Sequence, residues 1–329
     1  MRTFHSSERP LIIAGQGTFY ADACQELLSF AELAKAPVLT TLNAKSCFPE
    51  DHPLFICVRG DPAEYFIKRS NLVLAIGCGL SPSLFSQGIS SASAKKIIHY
   101  VVEESNINRI YPTEHAVVGD TKLVLWQLIV ELDRRGALKR KDITNEIEAV
   151  KRTKAEKYDS LMESGEPPVN PYRVYAEIMA SLDRKNRFVT HESGNTRDQL
   201  STVYEAIIPY GFMGWGNVST LGFSLGVAMG AKLAMPGREI VSVNGDAGFS
   251  YQVGNYEAVV SSRLGITTGH INNSGYSPVF WGNGHSPYTS EVTPFDIVNT
   301  SRVVEGLGIH SERIEDPDEV APALGSALK

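Results

Sequence analysis

Short β-branched runs alternate with amphipathic stretches twice along this chain, and that double alternation restricts the fold more than any other feature. In the first 130 residues, Leu11–Ala14, Pro37–Leu42, Asn71–Ile76, Lys96–Val102 and His115–Val118 read as buried strands. Between them, Ala21–Lys35, Pro62–Lys68 and Lys122–Arg134 carry apolar residues at helical spacing. From Glu131 to Ser160 the pattern breaks. Sixteen of those thirty residues are charged with mixed sign, as on a solvated helix that serves as an exposed connector. Gly165-Glu166-Pro167-Pro168 then ends the segment. The second alternation has helices at Tyr172–Leu182, Leu221–Lys232, Val253–Ser262, Phe295–Leu307 and Asp316–Leu328, and strands at Arg187–Thr190, Glu239–Asn244 and Ile266–Ile271. Strands that alternate with helices argue parallel sheets covered on both faces. The 329 residues also exceed one compact core, which usually takes roughly 100–200. The expectation is an α/β protein of two doubly wound parallel-sheet domains, residues 1–133 and 169–329, joined by a charged linker, 134–168.

Composition removes several classes of function. Hydrophobic residues at 43% and charged residues at 21% exclude disorder and fibrous repeats. A net charge of −6 speaks against a general nucleic-acid binder. The apolar stretch near Leu221–Ala231 is too short and glycine-rich to span a bilayer, and the start is not a secretory signal. Cys24, Cys47, Cys57 and Cys78 show no CxxC spacing, which fits reduced, buried thiols in a cytoplasmic protein. The eight histidines form no HxH or HExxH pattern.

Two segments invite a chemical reading. Gly15-Gln16-Gly17 follows the opening strand, but Tyr20 stands where a dinucleotide fingerprint needs its third glycine, so a tight turn is the better account. In the second half, the strand Glu239–Asn244 runs straight into Gly245-Asp246-Ala247-Gly248. A carboxylate at the carboxyl end of a parallel strand stands where open α/β sheets bind ligands. Asn272-Asn273-Ser274-Gly275 follows 27 residues after Gly245-Asp246, at the end of the next predicted strand. One carboxylate, one amide oxygen and one backbone carbonyl make half of an oxygen octahedron, which phosphate oxygens and water complete around Mg²⁺.

These residues carry a family resemblance. Gly245-Asp246-Ala247 through Asn272-Asn273 resembles the thiamine diphosphate-binding motif, GD(G/A) followed by NN. The stretch Gly214-Trp215-Gly216-Asn217-Val218-Ser219-Thr220-Leu221-Gly222-Phe223 looks like the GGxGTMGxGLP-type lead-in of the same enzymes. The first half, from Arg9–Gly15 to Phe48–Leu54, is similar to the Rossmann-like middle domain of acetolactate synthase-like enzymes. The resemblance implies that Asp246, the Asn273 side chain and the Gly275 carbonyl hold Mg²⁺. It implies that Gly245, Ala247 and Gly248 meet the diphosphate, with Gly194 and Asn195 on its other side. Ser219 would touch the aminopyrimidine ring beside Thr220, Leu221 would prop the cofactor into its bent form, and Tyr276 would lie at the cofactor's edge. Tyr276, Trp281 and His285 could line the substrate side, although such residues more often only close a loop. FAD or ADP binding by the middle domain does not carry over, because the motifs are too thin.

The departures shape the functional expectation. The loop Glu192-Ser193-Gly194-Asn195-Thr196 looks closer to oxalyl-CoA decarboxylase and 2-hydroxyacyl-CoA lyase than to the more usual Gly-Gln-His form. Asn255 stands where relatives often have Glu. The family's activating glutamate belongs to a pyrimidine-binding domain, and the sequence starts where the middle domain starts. It also stops before the last strand expected, so it reads as a fragment or as one half of a split enzyme. The resemblance therefore implies a lyase or carboligase for 2-keto acids, with 2-hydroxyacyl-CoA cleavage as the alternative. Its partners would be a pyrimidine-domain polypeptide or same-family subunit, with homo-oligomers formed through a surface including Phe212, Met213 and Trp215. From another class, a non-catalytic nucleotide-binding or interaction protein would bind adenine nucleotides without thiamine diphosphate. A nicotinamide-dependent dehydrogenase is disfavoured by Tyr20.

Overall fold

The computed structural model describes residues 2–81, 87–136, 138, 140–215, 218–276 and 294–329. The chain folds into two compact units. The first takes residues 1–157 with 205–210 and 216–218, and the second takes 158–204, 211–215 and 219–329.

The first unit is built on a six-stranded parallel sheet, β1 Pro10–Ala14, β2 Val38–Thr40, β3 Phe55–Cys57, β4 Leu72–Ile76, β5 Lys96–Val101 and β6 His115–Val118, in the order β3-β2-β1-β4-β5-β6. All five residues of β1 and of β4 are buried, which is why both read as continuous apolar runs rather than as alternation. The predicted strands recur within two residues at either end; β3 is too short for its pattern to register. The helix expected over Ala21–Lys35 runs over Cys24–Ala34, after a separate helical turn at Gly17–Tyr20 that the pattern does not show. Asp22, with φ +48, turns the chain into the left-handed region between them.

Gly15-Gln16-Gly17 is a close backbone crossing. A Cβ on Gly15 would stand 2.4 Å from Cys78 Cα and from the Gly77 carbonyl oxygen. The N–H of Gly15 donates to Ile76 O and that of Gly17 to Gly77 O, both at 2.8 Å, so neither is available to a phosphate.

The charged segment is not solvated throughout. It forms the end of the helix Thr121–Arg135 and then the helix Thr144–Met162. Ile147 is buried in the core of the first unit, and the Arg140 guanidinium donates to the carbonyls of Phe4, Ser7 and Ala34. Charge density conceals this because Arg140 keeps its hydrogen bonds while its guanidinium lies over the Phe4 ring, 4.2 Å from its centroid.

All four cysteines are free and buried. Burial drives the Cys24 thiol up to about 12, and those of Cys57 and Cys78 up to about 11. Native protein at pH 8 should therefore react with a thiol reagent far more slowly than urea-unfolded protein, which exposes all four. With folded values above the ordinary value of 9.0, thiol burial supports stability fully below pH 9 and loses that contribution as the pH rises toward 11. A falling urea midpoint across that window checks the sign.

The second unit holds a four-stranded parallel sheet, β7 Arg187–His191, β8 Phe212–Met213, β9 Glu239–Gly245 and β10 Thr267–Ile271, in the order β10-β9-β7-β8. Asn170 caps the helix Pro171–Ser181 through the Tyr172 N–H. Three expected helices are trimmed. The one expected from Leu221 begins at Ser224, because Gly222 has φ +87. The one expected over Phe295–Leu307 covers Thr300–Glu305, starting where the Asn299 side chain caps the Arg302 N–H. Val253–Ser262 resolves into a 3₁₀ turn and the helix Tyr256–Ser261. Among the described residues no helix is long and apolar enough to cross a membrane.

Candidate functional site

The carboxyl ends of β7, β9 and β10 lie side by side, since Thr190 pairs with Ser242 and Ile271 with Gly245. Each strand therefore delivers its following loop to the same edge of the sheet. From β9 comes Asp246, whose Oδ2 accepts the backbone N–H of Asn273 at 3.0 Å and of Gly275 at 3.4 Å. The two segments quoted from the sequence, 27 residues apart, are thus in direct contact. Asn272 Oδ1 accepts from the Ser274 N–H at 3.0 Å and shapes the loop, with Ser274 at φ +53. Gly275 then bridges to Pro294, and Tyr276, exposed, meets the Phe295 ring edge-on at 4.6 Å. Trp281 and His285 lie outside the described residues, as do Gly216 and Asn217.

From β7 comes the loop 192–195. Gly194 has φ +89 and opens the helix Asn195–Val203, with nothing within 4 Å of the place where a Cβ would stand. The Ser193 and Ser219 hydroxyls are hydrogen-bonded, and the Arg197 guanidinium donates to Ser219 Oγ at 2.9 Å. Arg197 is fully buried and paired with Asp198 at 3.0 Å. Trp215 donates its indole N–H to the Thr220 carbonyl at 3.2 Å and stacks on Phe223 at 4.3 Å, so the strap carrying Ser219, Thr220 and Leu221 has a defined course. Phe212 is buried between the His191 and Tyr204 rings and is no part of an exposed patch, whereas Met213 is exposed.

Three functional candidates escaped the sequence reading. Glu192 is buried, and its carboxylate accepts from the N–H groups of Ser193, Phe223 and Ser224, the Ser224 hydroxyl and the Gln252 amide. It ties the loop after β7 to the start of the helix Ser224–Ala234 and to the helix Asp246–Gln252, where Gly248 leaves it room. A Cβ there would fall 2.1 Å from Glu192 Cγ. Gln252 fills the space beneath this loop, while Asn255 is exposed. The signal for Glu192 was the one that marked Asp246, a carboxylate ending a strand before small residues. His270, the third, lies on β10 beside Asp246, and burial lowers its pKa although the Asp246 charge pulls the other way.

The donor set suits a hard cation: one carboxylate largely shielded from solvent, an amide and a backbone carbonyl in the facing loop. Among the described residues no three His, Cys, Asp or Glu side chains gather as a metal cluster. A cation here would thus draw its further ligands from neutral oxygens and from an anion seated with it. The turn at Gly194 leaves open space at the start of the helix Asn195–Val203, where such an anion would find backbone N–H groups.

An α/β chain with a carboxylate and an open glycine turn at its strand ends is the class these observations define. Residues 1–128 match the family described as "Thiamine pyrophosphate enzyme, central domain", and residues 192–329 match "Thiamine pyrophosphate enzyme, C-terminal TPP binding domain". The chain belongs to the thiamine pyrophosphate enzyme family. It is 30% identical over 333 residues to a "Probable acetolactate synthase large subunit" of Methanocaldococcus jannaschii, covering 98% of this chain and 56% of that protein. A protein of the same description from Methanococcus aeolicus is 28% identical over 338 residues, with 98% and 56% covered. "Glyoxylate carboligase" of Escherichia coli O157:H7 is 27% identical over 346 residues, with 98% and 57% covered. The chain spans about half the length of these relatives.

Proposed function

We propose that this chain provides the metal- and diphosphate-binding half of a thiamine diphosphate- and Mg²⁺-dependent carbon–carbon lyase or carboligase acting on 2-keto acids. The observation that carries the reading is the meeting of Asp246 with the Asn273–Gly275 loop at the strand ends, opposite the open turn at Gly194. Asp246, Asn273 Oδ1 and the Gly275 carbonyl would hold Mg²⁺, while Gly194, Asn195, Gly245, Ala247 and Gly248 take the diphosphate through their backbone. Ser219, Thr220 and Leu221 would bear on the ring end, and Tyr276 on its rim. Bound thiamine diphosphate supplies the electron sink that carbon–carbon cleavage or formation requires. The chain's own residues orient it: Glu192 fixes the diphosphate loop, and Trp215 with Phe223 steadies the strap under the ring.

The activating glutamate is expected on a pyrimidine-binding domain outside these 329 residues, in the same cytoplasm and in the same oligomer. Similarity to acetolactate synthase and glyoxylate carboligase favours a 2-keto acid; the Ser193-Gly194-Asn195-Thr196 loop keeps a 2-hydroxyacyl-CoA as the competing substrate. The test is to assay the chain with pyruvate, glyoxylate or a 2-hydroxyacyl-CoA, with and without a pyrimidine-domain polypeptide taken from a relative. No turnover is expected from the chain alone, and carboligation of the 2-keto acids once the second polypeptide is added. Preferred cleavage of the acyl-CoA would overturn the substrate assignment, and turnover by the chain alone would overturn the division of labour.

A further inference from the structure

The loop after β7 and the strap share a hydroxyl pair that the sequence motif does not include. Arg197 is fully buried, and Asp198 takes two of its guanidinium nitrogens: Nε donates to Oδ1 and Nη2 to Oδ2, both at 3.0 Å. This two-point hold fixes the plane of the fork and aims Nη1 at Ser219 Oγ, 2.9 Å away. Ser219 Oγ is in turn hydrogen-bonded to Ser193 Oγ. Two hydroxyls hold two protons and the bond between them uses one, so one proton remains for another acceptor. Arg197 decides which. An oxygen that accepts from a guanidinium becomes a better donor and a poorer acceptor, so the chain runs from Arg197 to Ser219 to Ser193. The remaining proton is then on Ser193 Oγ. The Ser193 backbone N–H already goes to Glu192 at 2.9 Å, and among the described residues no acceptor takes the hydroxyl proton. Ser193 is only half-buried and directly precedes the open turn at Gly194. A polarised donor thus stands beside the place where an anion would sit.

We infer that the Ser193 hydroxyl is a further donor to the anionic diphosphate, aligned through Ser219 by Arg197, which acts as a positioning residue. The inference rests on the loop 192–195 meeting the diphosphate, as proposed above. A hydrogen bond to a charged phosphate oxygen is among the stronger kinds, and donation from a guanidinium upstream in the chain strengthens it further. Because the contact is with phosphate, it serves a diphosphate with or without the cofactor's rings.

The experiment measures by calorimetry the affinity of the full chain for inorganic pyrophosphate and for thiamine diphosphate, each with Mg²⁺, and reads the urea midpoint of every variant beside it. Ser193→Ala should weaken both ligands about tenfold, and Ser193→Thr, which keeps the hydroxyl, should bind within about twofold of the parent. Arg197→Lys keeps a charge beside Asp198 but not the fork, and should weaken pyrophosphate about threefold. Added to Ser193→Ala it should weaken binding no further, because Arg197 acts on the anion through Ser193; a merely structural role would lower affinity in either background. Parental pyrophosphate affinity in Ser193→Ala overturns the inference. A loss confined to thiamine diphosphate overturns it too, since that places the remaining proton at the ring end, on Ser219. Failure of Ser193→Thr to recover affinity has the same force. Asp246→Ala separates the two levels. If it binds both ligands as the parent does, the site assignment itself falls. If binding needs Asp246 but not Ser193, only the hydroxyl donor is lost.

Discussion

Glu192→Leu should destabilise the second unit by about 3–5 kcal/mol, the range seen when one partner of a buried charged network is removed. The carboxylate accepts from three backbone N–H groups, a hydroxyl and an amide in the interior. A leucine fills the volume and takes the acceptor from the three N–H groups and the Ser224 hydroxyl, each a loss of roughly 1–3 kcal/mol before the surroundings relax, while the Gln252 amide keeps the Gly248 carbonyl. Relaxation is restricted, because these donors belong to three separate elements, two of them already tied by the Leu225 N–H donating to Gln252 Oε1 at 2.7 Å. Glu192→Gln keeps shape and two acceptor sites but sets its NH₂ against donors, and should fall between leucine and the parent. Urea unfolding followed by tryptophan emission reads this, since Trp215 reports on the second unit and Trp126 on the first. The Trp215 transition should move to lower urea while the Trp126 transition stays. A Glu192→Leu chain that unfolds at the parental midpoint would show that the network contributes nothing. Gly248→Ala approaches the same point sterically and should shift the same transition in the same direction, since its Cβ has to displace Glu192.

That residue also marks where sequence reasoning reached its limit. Hydrophobic periodicity finds elements whose buried faces are apolar, and so it found β1, β4, β7 and β9. It does not see the helix Asn195–Val203, whose buried face is Thr196, Arg197, Leu200 and Ser201. A polar buried face arises where side chains are satisfied by one another, as Arg197 is by Asp198 and Ser219, and nothing in a linear pattern announces such partners. Very short strands escape for a different reason: β8 has two residues, too few to alternate. The GD…NN segments were legible as a pair because each follows a strand run, and the β9–β10 register brings the two loops into contact. His270 was illegible because its meaning depends on Asn244 across the β9–β10 register, 26 residues away.

Asp246→Ala should eliminate Mg²⁺-dependent binding of thiamine diphosphate to this chain, a loss of at least about a hundredfold in affinity, or roughly 3 kcal/mol. Asp246 is the one carboxylate in the proposed ligand set, and the remaining oxygens are neutral or belong to the cofactor. A doubly charged ion brought against neutral oxygens alone gives up most of its charge-assisted contacts with the protein. The substitution also releases the Asn273 and Gly275 N–H groups, so the loop bearing the other two ligands loses its anchor as well. Asp246→Asn separates the two effects: its amide oxygen can still receive the loop N–H groups, while the charge is gone. If charge dominates, Asn should bind almost as weakly as Ala; if anchoring dominates, it should bind almost as the parent does. The readout is the emission of Trp215, whose indole is hydrogen-bonded to Thr220 and stacked on Phe223 in the strap expected to meet the cofactor's ring end. Seating of the ring should alter that emission in the parent chain only when Mg²⁺ is present. An Asp246→Ala chain that still responds to Mg²⁺ and thiamine diphosphate with parental affinity would remove the foundation of the site assignment, whatever the assay of turnover then showed.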